Sequence, residues 1–303
     1  GGGDKGGILV RTARGLSTPE AASRLSTGAV VEELELVGDR LRYRLREGAG
    51  PEDGWVSTKL KDKDLLVPAK QQASRKIRVL CLHGTAGSPG VMKTQLRALI
   101  GKCESDVEFV FHGGHLKCEE DDDSIVGRQV KLMRPYFPKE VFTQYAHPTG
   151  GVDGPASVDG APEDPSTWRT YDGLEEALGL AQAALAREAP IDAILGFSQG
   201  SNVCSLLAGQ AAAGAGARVR CVVHLCTSLP GWTRQMPELF GAPLPLPALV
   251  VRAEKDKVAT GSDQVAALYA DAQRAAHSDV HRPLPGPLAE AQQLAETIRD
   301  FLL

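Results

Sequence analysis

Residues 191–208 read IDAILGFSQGSNVCSLLA. An apolar run ends at Phe197, a serine follows, and small residues then continue at helical spacing. This is the outline of a strand, a sharp turn and a helix. The turn holds Gly196-Phe197-Ser198-Gln199-Gly200, a G-x-S-x-G pattern. Glycine and serine are common, so the flanks give the five residues their meaning. A side chain held at such a turn sits in strained backbone, and side chains two positions away on either side would collide with it. The helix that starts at Gln199 directs N–H groups and a partial positive charge at the turn.

A serine hydroxyl is a weak nucleophile without a base, and the base that suits it is a histidine held by a carboxylate. On this kind of turn the chain order is Ser, then acid, then His. Three histidines follow Ser198: His224, His277 and His281. His224 lies inside the apolar run CVVHLC, where a packed core histidine is expected. His277 and His281 lie in AAHSDVHRPLPG, just before the final helix; His281 is the favoured base and His277 the alternative. For the acid, the apolar run of LVVRAEKDKVATG leads into Glu254-Lys255-Asp256. Asp256 is favoured, with Glu254, Asp263 and Asp279 as alternatives; the plain reading is a solvated turn carboxylate beside two lysines. The oxyanion of an acyl-transfer intermediate needs two main-chain donors. The N–H of Gln199 supplies one, and the Thr85 N–H in LHGTAGSPG is the best candidate for the other. His83 is expected to brace that loop.

The rest of the chain supports a large α/β unit. KIRVLCLHG, DVEFVFHGG, RVRCVVHLCTS and LPALVVRAE read as buried strands. PGVMKTQLRALIGK, TYDGLEEALGLAQAALAREA, DQVAALYADAQRA and PLAEAQQLAETIRDFL read as helices. This alternation predicts a doubly wound, mostly parallel sheet over residues 76–303. Residues 1–70 read differently, as short alternating β segments. LVGDRLRYRL predicts a hairpin turning at Gly38-Asp39, with Leu41, Tyr43 and Leu45 on one side and the arginines on the other. Residues 68–76 read as a linker. Residues 115–166 carry an acidic run and a Pro/Gly-rich stretch, and are expected to form a lid over the site or a solvated insertion.

Composition limits the choices. The chain has 303 residues, 42% hydrophobic and 24% charged, enough for a sizeable core. A net charge of -4 leaves no electrostatic footprint for nucleic acid, and no run is long enough to span a membrane. Six cysteines without a CxxC pair read as reduced core thiols, which predicts a cytoplasmic protein. The opening GGGDKGG carries no signal-peptide pattern, and a segment upstream of it remains open.

Taken together, RVLCLHGTAGS, IDAILGFSQGSNVCSLLA, VVRAEKDKV and HSDVHRPLP resemble the α/β-hydrolase branch known as the family of serine hydrolases. Its members include yeast and fungal hydrolases and the human ovarian-tumour-suppressor-candidate hydrolase. The resemblance spans residues 76–303. It implies an α/β-hydrolase fold, with Ser198 as nucleophile, Asp256 as acid and His281 as base. It also implies hydrolysis of acyl esters or thioesters without a metal or organic cofactor. Residues 7–67 resemble a bacterial SH3-like module, which implies a small all-β domain that binds a protein, for example an acyl carrier, or caps the hydrolase. The base loop SDVHRPLP lacks the glycines usual in the family, which keeps a non-catalytic adaptor open as an alternative. His112, His115 and Cys118 precede the acidic run, but their spacing matches no standard zinc motif, so no metal is expected.

Overall fold

A computed structural model describes residues 7–61, 63–67, 75–120, 124–149 and 170–303. The chain divides into two compact units, Gly1–Arg75 and Lys76–Leu303. Most of the expected linker (residues 68–74) and part of the expected lid (residues 121–123 and 150–166) lie outside the described residues.

The first unit is a small β-sheet region. Strands Val30–Val37, Arg40–Glu47 and Asp53–Ser57 form an antiparallel meander in that order. The first two join through Gly38-Asp39, with Val37 paired to Arg40 and Gly38 at φ 58°. Leu41, Tyr43 and Val56 bury against Ile8, Val10 and Leu25, while Arg42, Arg44 and Arg46 are exposed. Alternation along Arg40–Glu47 therefore sets which face is core. The Tyr43 hydroxyl donates to the Pro51 carbonyl at 3.0 Å. ILVRTA contributes isolated bridges from Ile8 and Arg11 instead of a strand, and Lys59–Leu60 pairs only with Lys63–Asp64. An open meander with these short additions is not identifiable as an SH3-like barrel.

The second unit is built on a six-stranded sheet in which every pairing is parallel. Across it run Ala272–His277, Ala248–Ala253, Cys221–Leu225, Ala193–Phe197, Ile77–Leu82 and Val107–His112. Both faces are covered. One layer packs Val79, Leu195 and Val223 against Leu99 and Ile298; the other packs Leu80, Ile194 and Val222 against Ala181 and Leu207. Neighbouring residues of one strand serve opposite layers, which is why these strands read as continuous apolar runs. Strand order reverses between Ile77–Leu82 and Ala193–Phe197, whose chain neighbours lead away in opposite directions across the sheet. Ligands of open α/β sheets bind beyond the carboxyl ends of the strands at such a switch point. Ser198 directly follows one of these two strands, and the loop of Thr85 follows the other.

Two elements differ from expectation. DQVAALYADAQRA is not one helix: helix Ala259–Ala266 ends inside it, and Ala272–His277 is the edge strand beside Ala248–Ala253. Alanine favours helix, but pairing with an existing parallel edge overrides that preference. In the expected lid, Ile125–Met133 is a helix. Ser124 Oγ accepts from the Gly127 N–H at 3.0 Å to cap it, and Val126, Val130 and Met133 pack with Phe137 and Phe142. No helix among the described residues is long and apolar enough to cross a membrane.

Candidate active site

The turn after Ala193–Phe197 has the tightness its sequence requires. Ser198 lies at φ 51° and ψ -121°, and helix Gln199–Ala212 starts at the next residue. A Cβ on Gly196 would stand 2.4 Å from the Ser201 Cα, and one on Gly200 would stand 2.3 Å from the Leu82 carbonyl oxygen. Only glycine fits either position. The Ser198 N–H donates to the Leu225 carbonyl at 3.0 Å, tying the turn to the next strand.

Three side chains from three strand ends converge here. His281 Nε2 lies 2.9 Å from Ser198 Oγ, and His281 Nδ1 lies 2.6 Å from Asp256 Oδ2. Asp256 is 4% exposed and His281 is 39% exposed. Asp256 Oδ1 also accepts from the Val258 N–H at 3.1 Å, which fixes the carboxylate plane. The His281 ring lies against Phe197, with centroids 5.0 Å apart. With Nδ1–H directed at the carboxylate, Nε2 is left as the acceptor facing the serine hydroxyl.

The alternatives serve other purposes. His224 is fully buried between Ser201 Oγ at 2.6 Å and the Tyr269 hydroxyl at 2.7 Å; burial lowers it to about 3. His277 Nε2 donates to the Arg282 carbonyl at 3.0 Å, and its Nδ1 accepts from the Asp279 N–H at 3.3 Å. His277 thus braces the loop that carries His281. Asp263 pairs with Arg252 at 2.9 Å and Arg274 at 3.4 Å. The Asp279 carboxylate accepts from the Val280 and Gly286 N–H groups, each at 2.8 Å, and Glu254 is exposed.

The Gln199 N–H, at the first position of its helix, is one of the orphan donors a helix leaves at its start. The Thr85 loop faces it across the site: Ser198, Gln199 and Thr85 border one cavity. Ala86 in that loop has φ 51°. His83 braces the loop's start, with Nδ1 2.7 Å from the Gly84 carbonyl and Nε2 accepting from the Gly114 N–H at 3.2 Å. Burial lowers His83 to about 4, against a smaller raising effect from the Gly84 carbonyl.

The sequence reading missed several groups. The Gln199 side chain clamps the facing loop: Oε1 accepts from the Tyr145 N–H at 2.7 Å, and Nε2 donates to the Ala146 carbonyl at 2.8 Å. Asn202 and Trp232 line the cavity beside Ser198. Asn202 stands four residues after Ser198 on one helix face, a spacing that could have shown it. Trp232 lies past the end of Cys221–Leu225, on the ligand-binding edge of the sheet. Among the described residues, no group of three or more His, Cys, Asp or Glu side chains could hold a metal ion. Cys118 is buried with Ala86, Val91 and Phe142.

Known proteins resemble this chain. The family model described as "Serine hydrolase (FSH1)" matches residues 73–284. The chain is 34% identical over 215 residues to the human protein "Esterase OVCA2", covering 69% of this chain and 90% of that one. It is 26% identical over 137 residues to an uncharacterized hydrolase of Schizosaccharomyces pombe, covering 45% of this chain and 29% of that protein's length. Among solved structures, SOBER1 of Arabidopsis thaliana matches at 14% identity and a TM-score of 0.45, over 75% of this chain and all of that one (100%).

Proposed function

The chain belongs to the FSH1 serine hydrolase family, and from that premise we propose that it hydrolyses carboxylic esters or thioesters through Ser198, His281 and Asp256. The observation that carries the proposal is the continuous chain of contacts, 2.9 Å from Ser198 Oγ to His281 Nε2 and 2.6 Å from Nδ1 to Asp256. Ser198 Oγ adds to the acyl carbon as its proton passes to His281 Nε2. The buried Asp256 carboxylate stabilises the imidazolium and stays ionised. The oxyanion accepts hydrogen bonds from the Gln199 and Thr85 N–H groups. His281 then delivers the proton to the leaving oxygen or sulfur as that bond breaks, which leaves an acyl group on Ser198. Water gives a proton to His281 and its oxygen to the acyl carbon. Collapse of this second intermediate releases the acid and returns the proton to Ser198. No step needs a metal or organic cofactor.

A fluorophosphonate probe should label the wild type at Ser198, and Ser198→Ala should lose both labelling and turnover, by about 10⁶-fold for turnover on the scale of subtilisin. Turnover retained in that variant would overturn the proposal. An unlabelled wild type would favour the adaptor alternative.

We also propose that the first unit, a small β-sheet region, docks a protein partner, such as an acyl carrier whose thioester Ser198 would cleave. Six free, buried thiols support a cytoplasmic setting.

A further inference from the structure

The two main-chain donors assigned to the oxyanion come from separate segments. Gln199 opens helix Gln199–Ala212, and Thr85 lies in the loop after Ile77–Leu82. Packing brings the segments close: a Cβ on Gly84 would stand 2.9 Å from Phe197 Cδ1 and 3.1 Å from Ser198 Cβ. Contact of this kind sets a distance, whereas hydrogen bonds set the direction of a peptide. Bonds that join the two segments run through a third, residues 143–146. At its start, the Thr143 N–H donates to the Gly87 carbonyl at 2.8 Å, and the Gly87 N–H donates to the Thr143 carbonyl at 3.2 Å. At its end, Gln199 Oε1 accepts from the Tyr145 N–H at 2.7 Å and the Ala146 N–H at 3.4 Å. Gln199 Nε2 donates to the Ala146 carbonyl at 2.8 Å. Between these ends, the buried Tyr145 hydroxyl accepts from the His83 N–H at 3.1 Å and donates to the His112 carbonyl at 2.9 Å.

These partners leave the Gln199 amide one orientation. The Tyr145 N–H can only donate and the Ala146 carbonyl can only accept, so Oε1 and Nε2 are assigned without ambiguity. A carboxylate in its place would turn a second acceptor towards the Ala146 carbonyl, and an aliphatic side chain would satisfy neither group. The amide therefore uses both of its functions on one short piece of backbone. An oxyanion gains most from donors that are aimed before its charge develops. The residue that supplies one donor from its main chain thus anchors, with its side chain, the segment that holds the loop of the other. Ala146 and Pro148 also border the cavity shared by Ser198, Gln199 and Thr85, so the same segment walls the site.

We infer that the Gln199 side chain is a positioning residue for the oxyanion: through residues 143–146 it holds the Thr85 loop in register with the Gln199 N–H. This rests on the proposed hydrolase reading and adds to it a side chain that acts without touching the reacting atoms. Gln199→Met keeps the length and loses both functions, and tests the inference on the full-length chain with an activated ester. The number of sites labelled by fluorophosphonate at completion counts the folded enzyme in each preparation. Per labelled site, kcat should fall by about tenfold or more, towards the roughly 10²–10³ that follows loss of a whole donor. KM should change little, because the weakened interaction is made in the transition state. An alkyl trifluoromethyl ketone adds to Ser198 and places an oxyanion in the same position. Its affinity should fall by the same factor as kcat/KM. Wild-type kcat and ketone affinity in a variant that labels fully would overturn the inference and leave the hydrolase reading standing. A rise in KM alone would overturn it too, since a mere cavity wall would do that. A wild type with neither labelling nor turnover would overturn both readings. Gln199→Glu keeps the acceptor for the Tyr145 N–H; it should lose kcat in the same way, and it decides the matter if Gln199→Met does not fold.

Discussion

Lowering the pH from about 7 to about 5 should destabilise the second unit by about 4 kcal/mol, through two histidines buried in their neutral form. His224 is fully buried and held down to about 3; His83 is 1% exposed and held down to about 4, burial being the main cause for both. In the unfolded chain each imidazole titrates near the ordinary ~6.5. A histidine lowered on folding contributes its full stability above the unfolded value and loses it as pH falls from there towards the folded value. Between pH 7 and 5 each unfolded imidazole gains most of a proton, and the buried one gains almost none. Integrated over that window, this is about 2 kcal/mol for each histidine. His112, also lowered by burial first, adds in the same direction. Equilibrium urea unfolding at the two pH values measures the loss. His224→Gln should reduce the pH-dependent part by about half, whatever it does to stability at pH 7, since the comparison is between two pH values of the same variant. A wild type equally stable at both values, or a variant with the full wild-type dependence, would refute the reasoning.

Two further outcomes follow from the site. Asp256→Asn should lower kcat by about 10⁴-fold, because the amide can present the wrong group to His281 Nδ1 and no longer stabilises the imidazolium; steady-state kinetics on an activated ester reads this, and a loss under about tenfold would count against the triad. Gly200→Ala should destabilise the unit by at least about 1–3 kcal/mol, since its Cβ would press on the Leu82 and His83 carbonyl oxygens at 2.3 and 2.4 Å. Gly101→Ala, on a helix with nothing within 4 Å of the added Cβ, should stabilise by up to about 1 kcal/mol in the same urea assay.

The sequence was most legible where one pattern served several purposes at once. IDAILGF had to be a doubly covered strand, GFSQG a turn that tolerates nothing larger than glycine on either side, and the small residues after it a helix pressed on the sheet. Burial of every residue in Ala193–Phe197 follows from that pattern. Ser198 and Asp256 stood out because each follows an apolar run, and His281 because it lies in the loop before the final helix, all in a fixed chain order. The edge strand Ala272–His277 was not legible, because its alanines and polar residues carry neither β-branching nor alternation; only the waiting edge of Ala248–Ala253 makes them a strand. Helix Ile125–Met133 was hidden because its buried stripe is only Val126, Val130 and Met133, set between an acidic run and a Pro/Gly stretch. Trp232 was invisible for a different reason: nothing in CTSLPGWT shows that the strand before it ends beside Ser198.

The loop of His281 shows how a segment with few glycines can be held in place. A histidine must be held within about 0.5 Å to serve a serine, and a loop with fewer glycines can reach that precision by bonding to itself. Arg282, next to His281, has its carbonyl engaged twice, by His277 Nε2 at 3.0 Å and by the Cys226 thiol at 3.0 Å. His277 Nδ1 and the Asp279 carboxylate take up the N–H groups of Asp279, Val280 and Gly286, and Glu290 takes that of Ser278 at 2.7 Å. Pro283 and Pro285 then restrict the chain that leaves the loop. Cys226 holds its end of this arrangement from a left-handed conformation, φ 47°, as Ser198 and Ala86 do at φ 51°. Such backbone costs on the order of 1–3 kcal/mol at each residue and persists only where the surroundings enforce it. Here the three strained residues follow three neighbouring strands, Ile77–Leu82, Ala193–Phe197 and Cys221–Leu225, all buried on both faces. The sheet supplies the rigidity, the strain is confined to its carboxyl edge, and the loop of His281 is bonded to that edge through Cys226.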